Sequence, residues 1–187
     1  MPSARDWRLL RFGAVALLVV LDQWSKEVVY SAGFSDTGEP LRRPLFGTDW
    51  LSFWNSCNGG AAFGQLRQFP TMLVIGRAAA VLFLSWLLWR ADVRPRLVLV
   101  AMTLVLSGAL GNLIDNLWTG CPVPRHPAAL RGVRDFVAVD FGPLIGVDYQ
   151  FPAFNLADSC ITVGACAWVL AGFLHKNPSP EAAPKPG

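Results

Sequence analysis

The sequence predicts an all-α membrane protein: a four-transmembrane-helix bundle with a small extracytoplasmic β-rich cradle and a second extracytoplasmic loop. Three observations carry this. The chain has 187 residues, 53% hydrophobic and only 16% charged, with mean hydropathy +0.39. Its apolar residues are gathered into four blocks rather than spread along the chain as a soluble core requires. Its Lys and Arg residues cluster beside the block ends. A spanning helix needs roughly 20 mostly apolar residues, which sets spans at about 12–30, 72–89, 97–118 and 154–174 in a single domain, 1–175.

The first block follows Arg5, Arg8 and Arg11, which resemble the basic start of a signal peptide. It runs into Asp22, Lys26 and Glu27 instead of a small-residue cleavage site, so it reads as a retained span. The second block is interrupted only by Arg77, which the sequence leaves to snorkel or to pair within the bundle. The third reaches its first charge at Asp115, and the fourth carries Asp158 alone. Arg90, Arg94 and Arg96 crowd the short link between spans two and three, and Lys176 and Lys185 follow span four. With Arg5, Arg8 and Arg11 they put both termini in the cytoplasm, against Arg42, Arg43, Arg67, Arg125, Arg131 and Arg134 on the other side. The Pro-rich tail 176–187 is expected to be a disordered cytoplasmic segment. A net charge of +3 fits this arrangement and calls for no nucleic acid.

Two outer segments remain, Ser31–Phe69 and Thr119–Ala153, both too apolar for plain solvated loops. "WLSFWNSCNGGAAFG" reads as short strands and turns against the membrane surface, with Trp50 and Trp54 suited to an interfacial belt. "GVRDFVAVDFG" alternates, so Val133, Asp135, Val137 and Val139 share one strand face and Arg134 takes the other. "FGP" at 141–143 reads as a turn, with a returning strand at Val147–Phe151.

Polar residues recur at one depth. Asp22 and Lys26 share a helix face. Asp22 lies roughly 16 Å beyond Arg11 along its helix, in the outer half. Asn112 and Asp115 close span three, and Asn155 and Asp158 open span four. Singly, each has a plain explanation: a structural ion pair for Asp22 and Lys26, a helix cap for Asn155, an interfacial carboxylate for Asp115. Together Asp115, Asp135 and Asp158 point to a shared polar pocket. Two carboxylates within hydrogen-bond reach share a proton, so one can activate water while the other protonates a carbonyl. His126 and His175 fall on opposite sides, and Cys57, Cys121, Cys160 and Cys166 have no metal-ligand spacing. A proton-coupled carrier would need charges along a path through the bilayer, whereas these cluster at one face; a non-catalytic scaffold binding lipid or partners through "NGGAAF" is the second rival.

Five segments in order resemble lipoprotein signal peptidase, the signal peptidase II family: "LDQWSK" (21–26), "NGGAAF" (58–63), "GALGNLIDN" (108–116), "GVRDF" (132–136) and "FNLADS" (154–159). The resemblance implies an aspartic endopeptidase of the bacterial cytoplasmic membrane, with its site at the extracytoplasmic face. It implies Asp135 and Asp158 as the catalytic pair, and Asp22, Lys26, Asn58, Gly60, Asn112, Asp115 and Asn155 as substrate-binding or supporting residues. The implied substrates are prolipoproteins carrying diacylglyceryl-cysteine, cut just before that cysteine. No metal or cofactor is implied, membrane lipid is the implied surroundings, and a monomer is expected. The small residues Gly59, Gly60, Ala61 and Ala62 are expected at the pocket wall, where close backbone approach is possible; a tight turn is the alternative. One departure stands out: the family's Arg after the span-three Asp is Asn116 here, which leaves Arg134 as the candidate replacement and as a cation able to lower the pKa of Asp135. Cys57 and Cys121 both fall outside, which permits a disulfide.

Overall fold

The computed structural model describes residues 4–33, 42–60, 68–91, 96–123, 127 and 129–174. His126, His175, Ala61, Ala62 and the tail 176–187 lie outside the described residues. Four long helices dominate: α1 (Ala4–Ser31), α2 (Pro70–Arg90), α3 (Arg96–Ile114) and α5 (Leu156–Leu174). Strands β1 (Arg42–Pro44), β2 (Leu51–Asn58), β3 (Val133–Asp140) and β4 (Gln150–Phe154) and the short helix α4 (Phe141–Ile145) complete the order. The protein is thus a mostly helical membrane protein with an antiparallel four-stranded sheet, in the order β1-β2-β3-β4.

Among the described residues, three helical segments are long and apolar enough to cross a membrane: Pro70–Arg90, Arg96–Thr119 and Leu156–Leu174. Helix α1 is longer, at 28 residues, but its charges keep it out of that group. Pro70 opens α2 at a position where its missing N–H costs nothing. Arg11 closes the other end, donating to the carbonyls of Leu88 at 3.3 Å and Ala91 at 2.9 Å, which the helix itself leaves without partners. Beside it, Arg8 lies over the Trp89 ring. Val15, Leu84, Leu88, Leu99, Met102 and Leu106 form the apolar core at this end. Leu17, Val20, Ile75, Leu82, Val163, Val169 and Phe173 point outward, as the lipid-facing side of such helices must.

Helix α3 is the central element, packed against α1, α2 and α5. Its contact with α5 depends on Gly108, where a Cβ would run into the Ala157 carbonyl. Small residues allow helix backbones in a membrane to approach this closely. The last turn, Asp115–Thr119, widens to a π-helix, a feature that often accompanies functional sites.

The sheet sits over one end of the bundle. Its strands pair as Arg43 with Phe53, Cys57 with Arg134, and Val139 with Phe151. The Tyr30 hydroxyl donates to the Ser56 carbonyl and ties the sheet to α1. A disulfide joins Cys57 on β2 to Cys121, beside the π-helical turn. Two details of the outer segments differ from the sequence reading. "FGP" is the start of a helix rather than a bare turn, because the Asp140 carboxylate caps it by accepting from the Gly142 N–H at 3.0 Å. The returning strand accordingly begins later, at Gln150.

Where α1, α3, β3 and α5 meet, Lys26 is fully buried. Its Nζ lies 2.8 Å from Asp22 Oδ2, 3.3 Å from Asp115 Oδ2 and 3.1 Å from Asn112 Oδ1. Removing one member of a buried ionic cluster leaves the others uncompensated. Lys26→Met is therefore expected to cost about 3–5 kcal/mol of stability, read as a lowered thermal midpoint of the purified protein in detergent.

Candidate active site

Asp135 projects from β3 and Asp158 from the first turn of α5, into one cleft of about 900 Å³. Three asparagines hold them. Asn155 Nδ2 donates to Asp135 Oδ1 at 2.7 Å, and the Asn58 side chain also hydrogen-bonds to Asp135. Asn112 Nδ2 donates to Asp158 Oδ1 at 2.8 Å, and the backbone N–H of Asn155 donates to Asp158 Oδ2 at 3.2 Å. Asn155 Oδ1 in turn accepts from the Asp158 N–H at 2.9 Å, which caps α5. Asn155 is therefore both a cap and the residue that joins the two carboxylates.

Asp22 and Asp115 play a different part. Asp115 Oδ2 accepts from the backbone N–H of Arg134 at 2.8 Å, one residue before Asp135. Asp22 Oδ1 accepts from the backbone N–H of Ala157 at 2.9 Å, one residue before Asp158. Each supporting carboxylate thus grips the backbone next to a carboxylate of the cleft. Lys26 lies between the two grips and also fixes Asn112. Of the three carboxylates that the sequence brings to one depth, the structure separates Asp115 from the pair.

Asp135 is 2% exposed, and its pKa is raised to about 8. Burial is the main cause, and the negative charge of Asp158 adds to it; hydrogen bonds from Asn58 and Asn155 and the charge of Lys26 act in the opposite direction. The expected lowering by Arg134 is corrected here. Strand alternation turns the Arg134 side chain away, where it reaches Asp115 Oδ1 at 3.0 Å, Gln23 Oε1 at 3.1 Å and Glu27 Oε2 at 3.0 Å. Nor does Arg134 replace a cation in the cleft, because it is absent from its lining. Among the described residues, the cation that lines the cleft is Arg77. Gly59 lines the cleft, and the Gly60 N–H next to it donates to Asn58 Oδ1 at 2.9 Å. Among the described residues, no three His, Cys, Asp or Glu side chains are grouped to hold a metal ion.

The family described as Signal peptidase (SPase) II matches residues 14–174. The chain belongs to this family. The lipoprotein signal peptidase of Polynucleobacter necessarius subsp. necessarius (strain STIR1) is 34% identical over 90% of this chain and 92% of its own. That of Klebsiella pneumoniae (strain 342) is 34% identical over 90% and 91%, and that of Acinetobacter baumannii (strain SDF) is 32% identical over 92% and 88%. A solved bacterial membrane enzyme superposes with a TM-score of 0.71, covering 93% of each chain at 24% identity, and so shares the fold.

Within this signal peptidase II chain, sequence reasoning missed two residues. Gln23 donates to Asp115 Oδ1 at 3.2 Å and to the Gly111 carbonyl at 3.0 Å, bridging α1 to α3. Its place between Asp22 and Lys26 was the available signal. Arg77 was visible as a charge in an apolar block, but its direction was not.

The two classes of carboxylate respond differently to neutralisation. Asp115→Asn removes an anion facing Lys26 and Arg134 and is expected to lower stability by about 3–5 kcal/mol. Asp135 has a folded pKa above its unfolded value, so the folded state holds the extra proton and stability falls as pH rises from about 4 to about 8. Asp135→Asn is expected to remove that fall and to raise the thermal midpoint relative to wild type at pH 9, measured across pH 5–9.

Proposed function

We propose that the cleft is the active site of a prolipoprotein signal peptidase and that Asp135 and Asp158 perform the cleavage by general acid–base catalysis. The observation that carries this is one pair of carboxylates facing a common cleft, Asp135 buried and Asp158 partly exposed, each held by an asparagine side chain. Asp135, whose pKa burial and the neighbouring carboxylate raise to about 8, is assigned as the acid, and Asp158 as the base. Asp158 takes a proton from a water molecule as that water attacks the scissile carbonyl. Asp135 donates its proton to the carbonyl oxygen, giving a tetrahedral intermediate. Proton transfer to the amide nitrogen then lets the C–N bond break, with no covalent enzyme intermediate. Asn58, Asn112 and Asn155 hold the acids in place, and Asp22, Lys26 and Asp115 hold the backbones that bear them.

The chain is proposed to cross the bacterial cytoplasmic membrane four times as a single domain, 1–175, and to act as a monomer. Helix α1 makes the fourth span. Its Asp22 and Lys26 neutralise each other inside the bundle, and Leu10, Leu17, Val20 and Trp24 remain exposed along it. Arg8, Arg11, Arg90 and Arg96 gather at the end away from the sheet, which favours a cytoplasmic location for that end and an extracytoplasmic one for the dyad.

The substrate is proposed to be a prolipoprotein whose cysteine already carries diacylglycerol, cut just before that cysteine. The cleft supports this by its shape. Below the dyad its wall is apolar, with Ala80 on α2 and Ile161 and Val163 on α5. Both helices pack on α3, so acyl chains can enter sideways between them while the peptide lies under the sheet. Binding energy from the chains then helps align the scissile carbonyl with the dyad.

With a diacylglyceryl-modified prolipoprotein, Asp135→Asn and Asp158→Asn are each expected to slow signal-peptide release by about 10²–10⁴-fold, the usual range for an acid–base group, while the protein still folds. Near wild-type rates in either variant would remove that residue from the dyad. The wild-type rate is expected to fall as pH rises through about 8, where Asp135 loses the proton it must donate. The same prolipoprotein with unmodified cysteine is expected to be cut very poorly, and equal cleavage would defeat lateral entry of the lipid.

A further inference from the structure

Arg77 stands in the second turn of α2, an otherwise apolar helix until its terminal Arg90. It lines the dyad cleft and, among the described residues, forms no ion pair. It is near enough to Asp158, Asp135 and Asp115 for its charge to act on all three. Its Nη1 donates to Asn116 Oδ1, and its Nη2 donates to the Gly60 carbonyl at 3.3 Å. Asn116 is itself buried, and its Nδ2 donates to the Arg131 carbonyl at 2.7 Å. That bond fixes the amide and presents Oδ1 to Arg77. The guanidinium is therefore held at the cleft wall from two sides. It has five N–H donors in a rigid fork, more than these two acceptors use.

A charge kept in an apolar helix without a carboxylate partner serves an occupant of the cleft better than it serves the fold. An arginine two-sidedly clamped beside an acid pair is suited to a neutral, hydrogen-bond-accepting group. A peptide carbonyl meets that description and leaves the charges of the dyad unaltered. We propose that Arg77 is the substrate-binding cation of this enzyme, donating to a backbone carbonyl of the signal peptide beside the scissile bond, and that Asn116 is its positioning residue. The inference rests on the peptidase reading above. It also accounts for the Asn116 departure from the family pattern: the guanidinium comes from α2, and the position after Asp115 holds an amide that orients it.

The test uses the purified full-length enzyme with a diacylglyceryl-modified prolipoprotein. Arg77→Met is expected to raise KM about 10- to 100-fold, the loss of a charged hydrogen bond. The fall in kcat should be smaller and the thermal midpoint close to wild type. Asn116→Ala should raise KM less, and Arg77→Lys should fall between Met and wild type because a point charge replaces the fork. The exchange Arg77→Asn with Asn116→Arg should lower KM relative to Arg77→Asn alone. The released signal peptide, added as a competitive inhibitor, should lose affinity for Arg77→Met by a similar factor. An unchanged KM in Arg77→Met overturns the proposal. So does a loss confined to the thermal midpoint, which makes Arg77 a structural prop. An unchanged affinity for the lipid-free signal peptide overturns it as well, because the cation would then be reading the lipid. Absence of cleavage by wild type is a failure of the peptidase reading, whereas equal cleavage by wild type and Arg77→Met is a failure of the Arg77 inference alone.

Discussion

The ammonium of Lys26 is the cation on which the site depends. Fully buried, it has to be neutralised where it stands, and Asp22 and Asp115 do so from α1 and the end of α3. Each of those carboxylates also accepts a backbone N–H. Asp22 takes that of Ala157 on its other oxygen, and Asp115 takes that of Arg134 on the same Oδ2 that faces Lys26. The electrostatic requirement of one lysine is in this way converted into backbone positions for α5 and β3. A sheet strand and a helix, far apart in sequence, are held in fixed relation at the residues next to Asp158 and Asp135. The remaining donor of Lys26 reaches Asn112, which holds Asp158 directly.

The same geometry separates two kinds of acid. Asp22 and Asp115 face cations and stay committed to structure. Asp135 is turned from the guanidinium of its chain neighbour Arg134 by the two-residue period of its strand, so burial and the charge of Asp158 dominate and raise its pKa to about 8. The raised pKa of Asp135 thus follows from where Arg134 points, not only from how near it lies. The sheet adds to this by covering the pair, with β2 pinned to the π-helical turn by the Cys57–Cys121 disulfide and to α1 through Tyr30.

Much of this was legible in sequence because it is local or periodic. The three apolar helices follow from block length, the strand 133–140 from alternation, and the meeting of Asp22, Asn112 and Asn155 from their places near helix ends on one side. Helix α4 was missed because its cap, Asp140, bonds two residues on and competes with a turn reading of "FGP". Which two of three carboxylates pair was not readable from spacing, since it is decided by contacts between α1, α3, β3 and α5. The same holds for the cleft cation. Arg134 is adjacent to Asp135 in the chain, yet Arg77 reaches the cleft, because Asn116 on α3 supplies the acceptor that turns it inward.

The chemistry proposed for the dyad requires a proton on Asp135 at neutral pH. Infrared difference spectroscopy of the detergent-solubilised protein, with its aspartates isotopically labelled, observes a protonated carboxyl group directly. A protonated aspartate band is expected at pH 7, disappearing as pH rises through about 8 and absent from Asp135→Asn. A spectrum without a protonated aspartate at pH 7, or a band that persists unchanged in Asp135→Asn, would contradict it.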